Sequence, residues 1–381
     1  VVAVLEDVHW AEPTLLDLVE YLGAWSSEAP VLVLCIARPA LLDKRPGWRT
    51  TTDTITLAPL SSEESETLLA ELGAEAELSK DTRTRILEAA EGNALFVEQL
   101  LAYVTEDVGQ ERLEEAVPPS IEALLASRID ALDSEDRAVL ERAAVVGKDF
   151  LRAAILHLSP PEAVANLDSR LVDLERRGLV HARRAAQDEF RFHHVLIRDV
   201  AYAGITKERR AELHERCGAW LEHRSEADEL VGYHAERAHR YRSELSAGDP
   251  ELPRLASWAG ERLAAAGIRA WKRADTPAAV NLLERATALL STGSPDRIEL
   301  LCELGVAQKV AGDYARGEQT LVEATEAAES ARDQRVRLRA RLELASLRLF
   351  SGSEGNPAEL VELAARAIPI FEELGDDRAL G

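Results

Sequence analysis

The chain has 381 residues, room for two to four compact units at roughly 100–200 residues each. With 46 % apolar and 30 % charged residues it is globular rather than disordered, and no apolar run approaches the roughly 18 residues that span a bilayer. Its 45 basic against 68 acidic residues leave a net charge of −23, which repels phosphate backbones and lipid headgroups and argues against nucleic-acid or membrane binding by the chain as a whole.

Residues 1–58 read as α/β. Val1 to Leu5 is a buried-strand run, Glu12-Pro13 opens a helix with Leu15, Leu16, Leu18, Val19 and Leu22 on its apolar side, and Val31 to Ile36 is a second all-apolar run. A short alternating segment, Thr54 to Leu57, predicts a third strand. Continuously apolar strands on either side of a helix indicate a parallel sheet covered on both faces. Three strands are too few for such a sheet, and the chain starts at Val1 and contains no Met. More strands are therefore expected before Val1.

After Pro59 the helical period takes over. Ser61 or Ser62 caps a helix through Leu69, with acids in its first turn. A second helix from about Asp81 to Ala90 stops at Glu91-Gly92-Asn93, and a third begins near Leu95. Val117-Pro118-Pro119-Ser120 is a break. From 120 to about 215 the pattern is three helices and a hairpin, its strands at Leu179-Val180 and Phe190 to Phe192. From about 252 onward every segment is amphipathic helix. There Leu263, Ala266, Gly267, Ala279, Leu283 and Ala286 recur 38 residues later as Leu301, Leu304, Gly305, Gly317, Leu321 and Ala324. A looser third copy begins near Leu344-Ala345.

The strand run that ends in Glu6-Asp7 has the form of a Walker B element, in which one carboxylate serves a magnesium ion and another the attacking water. Glu6 to Pro13, EDVHWAEP, resembles the "LEDLHWADP" signature of STAND-type, AAA-like signal-transduction ATPases, found in LuxR-family regulators and in class III adenylate and guanylate cyclase-linked ATPases. The resemblance implies that Glu6, usually Asp there, serves magnesium and that Asp7 is the catalytic acid. Arg38, after the run Leu34 to Ala37, is similar to the family's sensor position, where a cation reads the γ-phosphate; the alternative is a solvated loop arginine. Glu91 to Leu100 resembles the lid segment "GNPLFVEEL", which implies nucleotide contact near Asn93, with Ala94 in place of the family's Pro. Phe190 to Tyr202 resembles "FRHALVREAAY" at the end of the family's winged helix. There His194 falls at the position whose imidazole reaches the β-phosphate of ADP; the alternative is a histidine satisfied within the hairpin. The helical repeats resemble tetratricopeptide repeats, whose period is about 34 residues.

The fold this implies is mainly α: a truncated α/β P-loop NTPase remnant (1–58), a helical lid (59–117), a winged helix (118–215) and an α-solenoid of tetratricopeptide-like repeats (216–381). A P-loop needs GxxxxGK[ST], and the lone Gly147-Lys148 pair lacks the rest. ATP or ADP and Mg2+ are thus expected of an intact parent, with no tight binding by this chain alone. A protein or small-molecule inducer is expected on the repeats, with self-association in the parent and an output domain outside the chain.

Two other readings stay open. One is a non-catalytic interaction scaffold with a degenerate ATPase remnant. The other is a DNA-binding regulator, against which 118–215 carries 15 basic and 17 acidic residues. His234 and His239, five apart, do not share a helical face and predict no metal site. Cys35, Cys217 and Cys302 form no CxxC pair and suit small buried side chains in a reducing cytoplasm.

Overall fold

The computed structural model describes residues 1–11, 13–25, 30–72, 78–105, 118–183, 188–351 and 356–376. The chain is mainly helical and divides into two compact units, Val1–Thr56 with Gly260–Gly381, and Leu57–Ala259.

In the first unit, β1 (Val2–Leu5) and β2 (Leu32–Cys35) pair in parallel, Val2 opposite Leu32 and Leu5 opposite Cys35, joined by α1 (Pro13–Trp25). The ladder runs past the strands: Ile36 N donates to Leu5 O at 2.8 Å and Val8 N to Ile36 O at 3.1 Å. Val8, Leu16, Leu41 of α2 (Ala40–Lys44) and Trp48 of α3 (Trp48–Thr51) form the small core beneath this pair, with Leu5 and Cys35 against it. Val2, Val4, Leu32 and Leu34 alternate onto the opposite face and are exposed. A parallel sheet is ordinarily covered on both faces; here one is covered.

The expected third strand at Thr54 to Leu57 is not one. Ile55 and Leu57 are 84 % and 90 % exposed, and without a ladder partner an alternating segment has nothing to fix it as a strand.

The same unit holds the helical pairs. They are α15 (Leu252–Lys272, which starts in the other unit) with α16 (Thr276–Leu289), α17 (Pro295–Val310) with α18 (Tyr314–Ser330), and α19 (Gln334–Ser351) with α20 (Pro357–Leu374). The 38-residue recurrence is a packing rule. A Cβ on Gly267 would lie 2.9 Å from Leu283 Cγ, and one on Gly305 2.6 Å from Leu321 Cγ. Only glycine lets the paired helices approach that closely at the crossing. Asp275 and Asp313 cap the second helix of their copies in the same way.

The second unit opens with α4 (Ser62–Glu71), which Ser61 and Glu64 close with a capping box, and α5 (Lys80–Ala90), capped by Ser79. Glu91 and Gly92 take the left-handed conformation after α5, and α6 (Ala94–Thr105) follows. A Cβ on Gly92 would collide with the Leu60 carbonyl, so glycine is required there.

Next come α7 (Ile121–Asp130), α8 (Ser134–Val146), α9 (Arg152–Leu158), α10 (Pro161–Val164) and α11 (Leu167–Arg176), with a three-stranded antiparallel sheet in the order β3 (Asp149–Leu151), β5 (Glu189–Phe192), β4 (Val180–Ala182). The sequence predicts only the two later strands. Phe150 and Phe192 carry the sheet onto the core of Leu140, Ile155, Leu171 and Ile197. After α12 (Val195–Gly204), the antiparallel pair α13 (Lys207–His223) and α14 (Asp228–Leu245) completes the unit.

Candidate functional site

The carboxyl ends of parallel strands are where doubly wound sheets bind ligands, and three of the candidate residues stand there. β1 ends at Leu5, Glu6 is exposed, and Asp7 is half-buried as the N-terminal residue of a short 3-10 turn, Val8–Trp10. Asp7 holds the left-handed conformation, φ 55° and ψ 31°, which costs an L-residue about 1–2 kcal/mol and which Asp tolerates better than most. Just past the neighbouring β2, the Arg38 backbone N–H donates to His9 Nδ1 at 3.4 Å, and the Arg38 side chain is exposed. Two acids and an arginine thus leave adjacent strands at one edge, with His9 linking the two loops. Their chemistry suits a divalent cation and a phosphate group; among the described residues no cluster of three or more His, Cys, Asp or Glu could hold a metal by itself.

Asn93 and His194 lie in the other unit, and each caps a helix. Asn93 Oδ1 accepts from Phe96 N at 3.2 Å at the start of α6. His194 Nδ1 accepts from Leu196 N at 3.1 Å at the start of α12. An Nδ1 that accepts leaves the proton of the neutral ring on Nε2.

Two arrangements escaped the sequence. His193 Nε2 meets Glu98 Oε1 at 2.8 Å, tying the β5–α12 turn to α6. Arg128, 2 % exposed, does the same from α7: it donates to Gln99 Oε1 on α6 and, at 2.6 Å, to the Arg177 carbonyl. The second arrangement is a buried polar chain. Cys217 Sγ lies 3.7 Å from His234 Nε2, His234 Nδ1 2.9 Å from His214 Nδ1, His214 Nε2 2.8 Å from Tyr202 Oη, and Tyr202 Oη 2.9 Å from Tyr241 Oη. No spacing along the chain announces either, since the partners come from different helices.

The repeats contain a cleft of about 310 Å³ between α16, α17 and α18. Arg297 pairs with Glu323 at 2.6 Å and Arg316 with Glu284 at 2.5 Å, while Gln308, 2 % exposed, bonds Glu284 and accepts from Thr320. The volume falls at the lower end of small-ligand sites.

No protein-family profile matches the chain. It is 28 % identical over 263 residues to an uncharacterised protein of Rhizobium meliloti (strain 1021), a match covering 62 % of this chain, and the chain spans 24 % of that relative's length. Among solved structures it is similar to a signal transduction ATPase with numerous domains (STAND) that carries a tetratricopeptide repeat sensor, from Pyrococcus horikoshii. That likeness has 15 % identity and a TM-score of 0.43, over 98 % of this chain and 56 % of that one. A superposition that loose assigns no activity.

Proposed function

We propose that this chain is part of a nucleotide-switched signal-transduction regulator of the STAND type, in which helical repeats sense an inducer or partner and a P-loop ATPase relays the signal to an output domain. The observation that carries the reading is the strand edge: Glu6 and a left-handed Asp7 at the end of β1, beside the parallel β2 that leads to Arg38. In this reading Glu6 holds magnesium, Asp7 polarises the attacking water and Arg38 senses the γ-phosphate. Asn93 and His194 are proposed as further nucleotide contacts, each in addition to its cap. The helix–strand arrangement of 118–215 serves as the winged helix, and the polar cleft around Gln308 serves as the inducer site.

DNA is a poor partner for the hairpin-bearing domain, because three of its arginines already hold carboxylates: Arg152 with Asp168, Arg170 with Asp133 and Glu135, and Arg191 with Asp149.

The test is nucleotide retention. A protein carrying this chain together with a GxxxxGK[ST] loop is expected to purify with ADP bound, and Asp7→Asn in it to stop hydrolysis while ADP stays bound. Purification free of nucleotide, with no ADP binding on titration, overturns the switch. The second reading, an interaction scaffold, is favoured by the polar cleft in the repeats. It predicts partner capture that is indifferent to nucleotide.

A further inference from the structure

Three arginines are buried among the described residues, and two have evident partners: Arg128 binds Gln99 and the Arg177 carbonyl, and Arg339 pairs with Glu303 at 2.9 Å. Arg142, on α8, is 4 % exposed, and its Nε has no hydrogen-bond partner among those residues. A largely buried guanidinium whose Nε goes unbonded is a costly arrangement for a fold to keep.

Its surroundings add positive charge. Burial first, then Arg209 and Arg216 of α13, hold the Arg142 pKa below the ordinary arginine value, against Glu141 and Glu212. Glu212 is already taken, by Arg209 Nη1 at 2.6 Å and Arg216 Nη1 at 3.4 Å, and Arg216 Nη2 donates to the His157 carbonyl at 2.7 Å. The Glu141 carboxyl is itself pushed up by burial. Arg142 thus feels the charge of two further guanidiniums against two carboxylates, in a chain whose net charge is −23. Arg209 and Arg216 are about a third exposed, so the seam opens to water on their side.

We infer that the seam between α8 and α13 binds a phosphate-class oxyanion, with Arg142 as its inner ligand and Arg209 and Arg216 at its mouth. A tetrahedral anion presents oxygens in more than one plane and can take guanidiniums arriving from two helices, whereas a carboxylate is filled by a single planar fork. The anion would couple the hairpin-bearing domain to the α13–α14 pair, and binding only the folded chain it would stabilise it.

The experiment measures thermal unfolding of the full chain in inorganic phosphate, sulfate, acetate and chloride at matched ionic strength. Phosphate and sulfate are expected to raise the midpoint, with a further step for each tenfold increase, and acetate and chloride to leave it unchanged. Arg142→Met is expected to lose the response and to unfold no lower than the native chain in chloride, since it removes a buried charge whose Nε goes unbonded. Equal midpoints in all four salts overturn the site, as does a response that survives in Arg142→Met. A response to acetate alone overturns the assignment to a tetrahedral anion. Should Arg142→Met not fold, phosphorus NMR of the native chain decides: no saturable broadening of the phosphate signal sinks the proposal.

Discussion

His214 and His234 face each other through their Nδ1 atoms at 2.9 Å, and both are buried, at 0 % and 3 % exposure. One Nδ1 must donate and the other accept, and burial keeps both rings neutral. Two proton orders satisfy the whole chain from Cys217 to Tyr241, one running each way. Burial, and for His214 also the neighbouring His234, holds both pKa values far below the ordinary 6.5.

That pair predicts acid sensitivity. Below pH 6.5 the unfolded chain protonates these rings and the folded chain does not. The stability they contribute is therefore whole above that value and lost as pH falls toward about 4, the folded value of His234. The slope is about 1.4 kcal/mol per pH unit for each ring. Urea unfolding at pH 7.5 and 5.5 is expected to show this loss in the native chain and a smaller one in the double variant His214→Phe/His234→Leu. Equal losses in both would show that the pair does not carry the effect.

Arg128 predicts a costly joint. Arg128→Met leaves the buried Gln99 side-chain oxygen and the part-buried Arg177 carbonyl without their donor, an expected loss of about 2–3 kcal/mol in chemical denaturation. Adding Gln99→Leu is expected to return part of it, because one orphaned acceptor disappears. Additive losses in the double variant would mean that the two residues do not act as a pair.

What the sequence discloses here is local. Ser61 and Glu64 three residues apart, Glu91-Gly92-Asn93 after a helical run, and Gly267 repeated as Gly305 all act within a few turns of chain, and each is found at its post. The parallel pairing of β1 and β2 was legible from two all-apolar runs. The strand at Asp149–Leu151 was not, because three residues behind Gly147-Lys148 carry no alternation to read. At the strand edge the acids were visible as a motif, but the left-handed turn at Asp7 and the His9 link to Arg38 need coordinates. His193 with Glu98, 95 residues apart, and Arg142 with Arg216 arise only when distant helices meet.

The glycine rule in the repeats yields a mutational contrast. Gly305→Val drives a branched side chain into Leu321, which is fully buried and has nowhere to move. A loss of about 1–3 kcal/mol is expected in thermal unfolding. A Cβ at Gly293 meets nothing within 4 Å, so Gly293→Ala is expected within about 0.5 kcal/mol of the native chain. Equal effects at the two positions would remove close helix approach as the reason for the recurrence.

Asp7 separates stability from function. Its left-handed backbone is strained for a side chain bearing Cβ, so Asp7→Gly is expected to leave the fold as stable as before or slightly more so, and Asp7→Val to destabilise it by about 1–2 kcal/mol. A left-handed acid at the end of a parallel strand fits the catalytic role proposed for Asp7. In a protein that also carries a P-loop, Asp7→Gly should therefore fold at least as well as the native sequence and hydrolyse ATP far more slowly. Unchanged turnover in that variant would release Asp7 from the catalytic role and leave it a turn residue.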